Sequence, residues 1–203
     1  MPTDQRKQRI HEVLSARQPD LTVVLDRVHK PHNLSAIMRT CDAVGVTQVH
    51  AVPISGDPLE IHRKASAGVG KWVDVVTHDS LDGAIRFLRA QGFSLWAAHP
   101  IDDAVAHTDV DYTQPSAIVM GSELAGLDSA SLGLFDGSIA IPMHGMGQSL
   151  NVSVAAALIL FEAERQRREQ GLYDAPRLSP HQFASLTTKW HENPNPWAPG
   201  GDS

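Results

Sequence analysis

Three observations predict a mostly parallel α/β fold. Apolar runs of strand length alternate with helical repeats at short spacing along nearly the whole chain. The run "SAIVMGS" at 116–122 is nearly all apolar, as a strand covered on both faces should be. The 203 residues, 42% hydrophobic and 20% charged, suffice for one sizeable domain with a real core.

The elements follow in order. Residues 3–17 read as a short helix with Ile10, Val13 and Leu14 on one side. "LTVVLD" (21–26) is a strand. "NLSAIMRTCDAVG" is a helix, because Leu34, Ile37, Met38, Cys41 and Val44 recur at helical spacing and Gly45 closes it. "VTQVHAVP" and "WVDVVTH" are strands, followed by a helix over 80–90 with Gly92 beyond its end. "FSLWAAH" and "SAIVMGS" are strands, "SASLGLFD" a short helix and "SIAIPM" a last strand. A long helix then opens with Ser149, Asn151 and Ser153, runs apolar from Val154 to Phe161 and ends in charge. The simplest parse has a helical extension over 1–20, a core over 21–170, and a C-terminal extension with a tail over 171–203. The Pro- and Gly-rich "HENPNPWAPGGDS" reads as disordered.

Composition narrows the function classes. "MPTDQRKQRI" has no apolar core, so no secretory signal is expected. The apolar stretch after Leu150 is shorter than the roughly 20 residues that span a bilayer. The single cysteine, Cys41, excludes an internal disulfide, and a cytoplasmic location is expected. Net charge is −6 and the pI about 6.0, unlike most nucleic-acid-binding domains. The distribution is uneven. Residues 42–140 hold five Lys/Arg against thirteen Asp/Glu, while the first 40 hold seven against four. The long helix ends in Arg165, Arg167 and Arg168. Both basic ends could form one phosphate-binding face if they meet; solvated helix faces are the plainer reading of the pattern.

In open α/β sheets ligands collect where strands end, which directs attention to three loops. In "HKPHNLSAIMR", Pro31 ends the strand region, Asn33 is placed to cap the helix, and Arg39 lies opposite the apolar stripe. In "GSELAGL", Gly121 permits a ligand to approach the backbone closely, and Glu123 could hold an amine or hydroxyl. In "IPMHGMGQSLNVS", Pro142 stops the strand, Gly145 and Gly147 make a tight loop, and Ser149 can cap the helix. Capping leaves Asn151 over, and an amide in so apolar a first turn needs a partner. The eleven histidines form no metal set: His29 and His32 are close but lack a third ligand at usual spacing. No Walker A loop, nucleophile elbow or GxGxxG occurs.

These three stretches, in this order, resemble the SpoU branch of the SPOUT methyltransferases. The resemblance rests on Asn33-x-x-Ala36-Ile37-x-Arg39, on Gly121-x-Glu123-x-x-Gly126-Leu127, and on Ile141-Pro142-Met143 through Ser149-Leu150-Asn151-Val152-Ser153. "QPDLTVVLDRVHKPHNLSAIMRTCDAVGV" and "MGQSLNVSVAAALILFEAERQRREQGLYDAPRL" resemble in particular the members that methylate the ribose of guanosine 18 in tRNA.

The resemblance implies a C-terminal trefoil knot, which periodicity does not suggest and which the ordinary rules of chain connection disfavour. It implies S-adenosylmethionine as cofactor, held by backbone near Ala98, at Gly121 and from Ile141 through Met143 to Leu150. It implies catalytic roles for Asn33, Arg39, Glu123, Ser149 and Asn151, and a homodimer in which Arg39 of one chain can complete the other's site. A guanidinium seldom gives up its proton, so Arg39 is expected to bind phosphate and stabilise the developing alkoxide rather than act as a base. Contact with tRNA is expected from Arg6, Lys7, Arg9 and Arg17 at one end and Arg165, Arg167 and Arg168 at the other, with His32 and Arg63–Lys64 nearer the site. Two alternatives stay open: 2′-O-methylation of ribosomal RNA or another tRNA nucleotide, and a non-catalytic RNA-binding module.

Overall fold

The computed structural model describes residues 3–54, 71–122 and 126–192. Among them the order is α1 (Asp4–Ser15), β1 (Leu21–Asp26), α2 (Pro31–Ala43), β2 (Gln48–Val52), β3 (Asp74–Thr77), α3 (Leu81–Arg89), β4 (Ser94–Ala98), β5 (Val105–Ala106), β6 (Ser116–Met120), a 3-10 turn at Ser129–Leu134, β7 (Gly137–Ala140), α4 (Val152–Glu169) and α5 (Pro180–Glu192). The strands form one sheet in the order β3-β2-β1-β6-β4-β7-β5, and every pairing is parallel.

Alternation along the central strands divides the core. Val23 and Leu25 of β1, with Ile118 and Met120 of β6, face α2 and α4. There they meet Leu34, Ile37, Met38 and Cys41 of α2, and Ala156, Ile159 and Leu160 of α4. Val24, Ala117 and Val119 point to the other side, against Ala84, Ile85 and Leu88 of α3. With both faces covered, β1 and β6 are buried at every residue, and each large aliphatic side chain so placed contributes about 1.5–3 kcal/mol. A third cluster joins the two terminal helices: Ile10 and Leu14 of α1 pack with Leu178 and Trp190.

Two capping expectations are corrected. Asn33 does not cap α2. The helix starts two residues earlier at Pro31, whose fixed φ suits the first helical position, so Lys30 stands at the N-cap and Asn33 is buried in the first turn. Ser149 does not cap α4 either. Asn151 does, its Oδ1 accepting from the Ser153 backbone N–H at 2.8 Å and from Ser153 Oγ at 2.6 Å. Among the described residues every strand pairing is parallel, and β5, two residues long, is too short to announce itself by periodicity. The tail expected to be disordered lies, from residue 193 onward, outside the described residues.

Candidate active site

The carboxyl ends of β4, β6 and β7 open into a cavity of about 550 Å³. Its floor and sides are backbone and apolar groups: Ala98 after β4, Met120 and Gly121 after β6, Ile139 and Ile141 around the end of β7, and Leu150, Val152, Ala155 and Ile159 leading into α4. The exposed loop over 142–149 supplies Met143, Gln148 and Ser149. Helix α2 supplies Lys30 and Asn33 at its start.

One polar contact ties these walls together. Asn151 Nδ2 donates to Asn33 Oδ1 at 3.1 Å, across 118 positions of sequence. Asn33 is 1% exposed and Asn151 is exposed, so the pair runs from the interior to the cavity surface. The partner that the lone amide of Asn151 required is therefore the other asparagine. Since Asn151 also caps α4, one side chain fixes both the start of that helix and its distance from α2.

The loop glycines differ in what their own surroundings demand. A Cβ on Gly121 would lie 2.3 Å from the Gly126 carbonyl carbon and 2.4 Å from the Leu127 nitrogen. Gly121 is thus required by the close approach of Gly126 and Leu127, beside the Ser122–Gly126 bridge, and it also lines the cavity. Side chains at Gly145 and Gly147 would meet nothing within 4 Å, so neither is demanded by packing.

All five positions expected to hold a cofactor line the cavity, together with Asn33, Ser149 and Asn151. Arg39 does not. It is exposed on the outer face of α2, with no hydrogen-bond or ion-pair partner among the described residues. Glu123 and Arg63 lie outside the described residues. Lys30 and His99 also line the cavity and escaped sequence reasoning. Each adjoins a position that was singled out, Pro31 and Ala98, and that adjacency was the available signal.

The candidate RNA contacts divide sharply. Arg17 and Arg167 are each 0% exposed, which removes both from any surface a phosphate could reach. Arg17 donates to the Asp42 carboxylate and to the carbonyls of Asp42, Val46 and Trp72, and lies 5.0 Å over the Trp190 ring. Arg167 donates to Asp20, to Gln18 Oε1, and to the carbonyls of Tyr112 and Gln114. A buried guanidinium is tolerable only with its N–H groups shared out in this way. The two basic ends do meet, through segment 17–20, but these two arginines form the joint itself. Arg6 is half-buried and donates to the Trp190 carbonyl at 3.0 Å. Lys7, Arg9, Arg165 and Arg168 are exposed and paired with Asp4, Glu12, Glu162 and Glu169, and Glu164 respectively. Surface pairs of this kind are weak enough to be exchanged for phosphate. His32 is exposed beside the start of α2.

Comparisons with known proteins agree with this geometry. The SpoU rRNA Methylase family matches residues 20–161. The tRNA (guanosine(18)-2'-O)-methyltransferase of Thermus thermophilus is 53% identical over 189 residues, 93% of this chain and 96% of that one. The crystal structure of the A. aeolicus TrmH/SpoU tRNA modifying enzyme superposes with a TM-score of 0.84 at 41% identity, covering 92% of this chain and 95% of that one. The SpoU methyltransferase AviRb from Streptomyces viridochromogenes, in complex with the cofactor AdoMet, gives a TM-score of 0.63 at 29% identity, over 76% of this chain and 59% of that one. With the family match spanning its sheet and site, and relatives of this identity along nearly its whole length, the chain belongs to the SpoU methylase family.

Proposed function

We propose that this protein transfers a methyl group from S-adenosylmethionine to the ribose 2′-oxygen of guanosine 18 in tRNA. One observation carries the reading at the site: the five positions expected to hold the cofactor converge on one cavity with the Asn33–Asn151 pair. The choice of tRNA follows the 53%-identical relative. The cavity suits the cofactor. Its volume of about 550 Å³ is within the range of about 300–1,000 Å³ usual for small-molecule sites. Its walls combine apolar side chains and backbone, which accommodate an adenosine, with polar groups from Asn33, His99, Ser149 and Asn151.

When bound, the cofactor supplies an electrophilic methyl carbon on a sulfonium. The chain's own residues have three tasks. The apolar walls at Ile139, Ile141, Leu150 and Ile159 exclude water from the transfer. The Asn33–Asn151 pair orients the ribose: an amide nitrogen has two hydrogens, and Asn151 spends one on Asn33, leaving the second for a sugar oxygen. Ser149, on the exposed loop, adds a hydroxyl on the same side. Arg39 meets the charge that develops as the hydroxyl loses its proton. From its own chain's outer face it serves the cavity of a second copy. An apolar stripe on α4 supports that homodimer: Val154, Leu158 and Phe161 are 46%, 42% and 51% exposed at helical spacing.

The sheet order, with β6 between β1 and β4 and α4 returning to pack on α2, supports a C-terminal trefoil knot within a core over 21–170. A tRNA substrate supports a cytoplasmic location; among the described residues no helix is long and apolar enough to cross a membrane.

The test is methyl transfer from labelled S-adenosylmethionine to an unmodified tRNA transcript, with the modified nucleotide mapped. Label at the 2′-oxygen of guanosine 18 is the expected result. Label on ribosomal RNA alone would overturn the substrate, and label on neither would overturn the enzymatic reading.

A further inference from the structure

Among the described residues Arg27 is the one non-glycine with a left-handed backbone, φ 56°; the other positive φ angles belong to Gly45, Gly92, Gly126 and Gly171. Such a conformation persists only where the surroundings hold it. Three contacts do so here. The Arg27 N–H donates to the Val52 carbonyl at 2.9 Å, tying the turn to the end of β2. The Arg27 carbonyl lies 3.3 Å from His29 Nδ1. The guanidinium folds back on Asp26, with Nε and Nη2 donating to the same Oδ2 at 3.1 and 2.9 Å. That carboxylate is 3% exposed, and Arg27 supplies the cation that a buried charge requires. Asp26, by hydrogen bond and by charge, raises the guanidinium pKa; burial opposes the rise, and Asp128, at the cap of the 3-10 turn, adds to it.

The turn redirects the chain. Leu25 points to the α2–α4 side of the sheet, and simple alternation would send Val28 to the other side. After the turn Val28 packs in the same core cluster as Leu25. Two residues on, Lys30 stands at the N-cap of α2 and its carbonyl accepts from the Leu34 N–H at 3.0 Å. Asn33, in the first turn, accepts from Asn151. Arg27 itself does not line the cavity. We infer that Arg27 is a positioning residue for methyl transfer: its left-handed turn, latched on Asp26, fixes where α2 begins and so where Asn33 holds Asn151 against the ribose. The inference rests on the reading of this cavity as a ribose 2′-O-methyltransferase site. The latch acts through geometry, since the ribose stays in line with the methyl carbon only while the asparagine pair is held in place.

The experiment compares wild type with Arg27→Gly and Arg27→Lys. Glycine takes up a left-handed φ freely, so Arg27→Gly removes the latch without straining the fold, and its Tm should stay close to that of wild type. Both donors of Arg27 converge on one oxygen, so a lysine ammonium can replace them. The quantities measured are kcat and KM for unmodified tRNA, the salt dependence of tRNA binding, S-adenosylhomocysteine binding by calorimetry, and amide exchange at Leu34. Arg27→Gly should lose roughly ten- to a hundredfold in kcat, while KM, salt slope and S-adenosylhomocysteine affinity stay those of wild type. The Leu34 N–H should exchange faster, and Arg27→Lys should restore most of both losses. Wild-type kcat in Arg27→Gly, or unchanged exchange at Leu34, would overturn the inference. A salt slope lower by about 0.7–0.9 would make Arg27 a phosphate contact and overturn it too, as would loss of S-adenosylhomocysteine binding. A fall in kcat that follows a fall in Tm, without rescue by Arg27→Lys, would mark a merely structural residue and has the same consequence. If the wild type methylates no RNA, the enzymatic reading fails and the positioning role with it, while exchange at Leu34 still decides whether the latch sets the start of α2.

Discussion

Arg39 and Arg167 are the same residue type on two helices of one protein, and their surroundings give them opposite work. Arg39 stands exposed and unpaired among the described residues, free to meet charge that arrives with a substrate. Replacing it with alanine should lower turnover by at least about a hundredfold, the cost of one donor to a developing oxyanion, and leave S-adenosylhomocysteine binding unchanged. Single-turnover methylation and calorimetry on the same preparation check this; loss of cofactor binding would show that Arg39 shapes the pocket. Arg167 is wholly buried and shares its N–H groups among Asp20, Gln18 and two carbonyls. Its replacement by alanine should cost about 3 kcal/mol of stability, because carbonyls and a carboxylate lose their donor in the interior. Asp20 retains Arg177, which keeps the loss from being larger. Urea unfolding measures the cost, and the salt slope of tRNA binding should stay that of the wild type.

Between β2, β3 and α3 lies a group with a pH dependence of its own. His50 Nδ1 and His78 Nε2 are 2.9 Å apart, their rings stack at 5.1 Å, and Phe87 of α3 packs against both. Only one of the facing nitrogens can carry the shared proton. Burial first, and then the neighbouring His78, lowers His50 from the ordinary 6.5 to about 4; burial also lowers His78. A histidine depressed in the folded state is neutral there while the unfolded chain takes up protons. Its stability contribution is therefore complete above pH 6.5 and drains as pH falls towards about 4. In His50→Phe, the drop in Tm between about pH 6.5 and 5 should be shallower than in wild type; equal slopes would mean the pair does not titrate on unfolding. The elements themselves were largely legible. Alternation put Val23 and Val24 on opposite faces, and the stripe Leu34/Ile37/Cys41 marked the buried side of α2. What escaped depends on distant partners. Hydropathy reads any arginine as surface, and only carbonyls and carboxylates 25 to 149 positions away make Arg17 and Arg167 interior. Likewise, Ser149 is as good a cap as Asn151 by sequence. What separates them is the contact with Asn33, 118 positions from Asn151.

At the scale of the whole molecule, the cavity and Arg39 do not meet within one chain, while α4 leaves Val154, Leu158 and Phe161 uncovered. In the homodimer proposed above, in which this stripe is buried, each site draws on two chains. Subunit mixing tests that arrangement directly. Arg39→Ala keeps its cavity and lacks the guanidinium; Asn151→Ala keeps the guanidinium and lacks the amide that orients the ribose. Each homodimer should be inactive. If Arg39 acts across the interface, every heterodimer holds one site with both groups intact, and full exchange of equal amounts should restore about a quarter of wild-type activity. If Arg39 serves its own chain, each site in the mixture lacks one group and activity stays absent. A charge in the stripe separates assembly from chemistry: Phe161→Glu should give monomers in sedimentation and abolish methyl transfer, because a lone chain then has a cavity without its arginine. An active Phe161→Glu monomer would refute the shared site, since Arg39 would have to reach the cavity from its own helix.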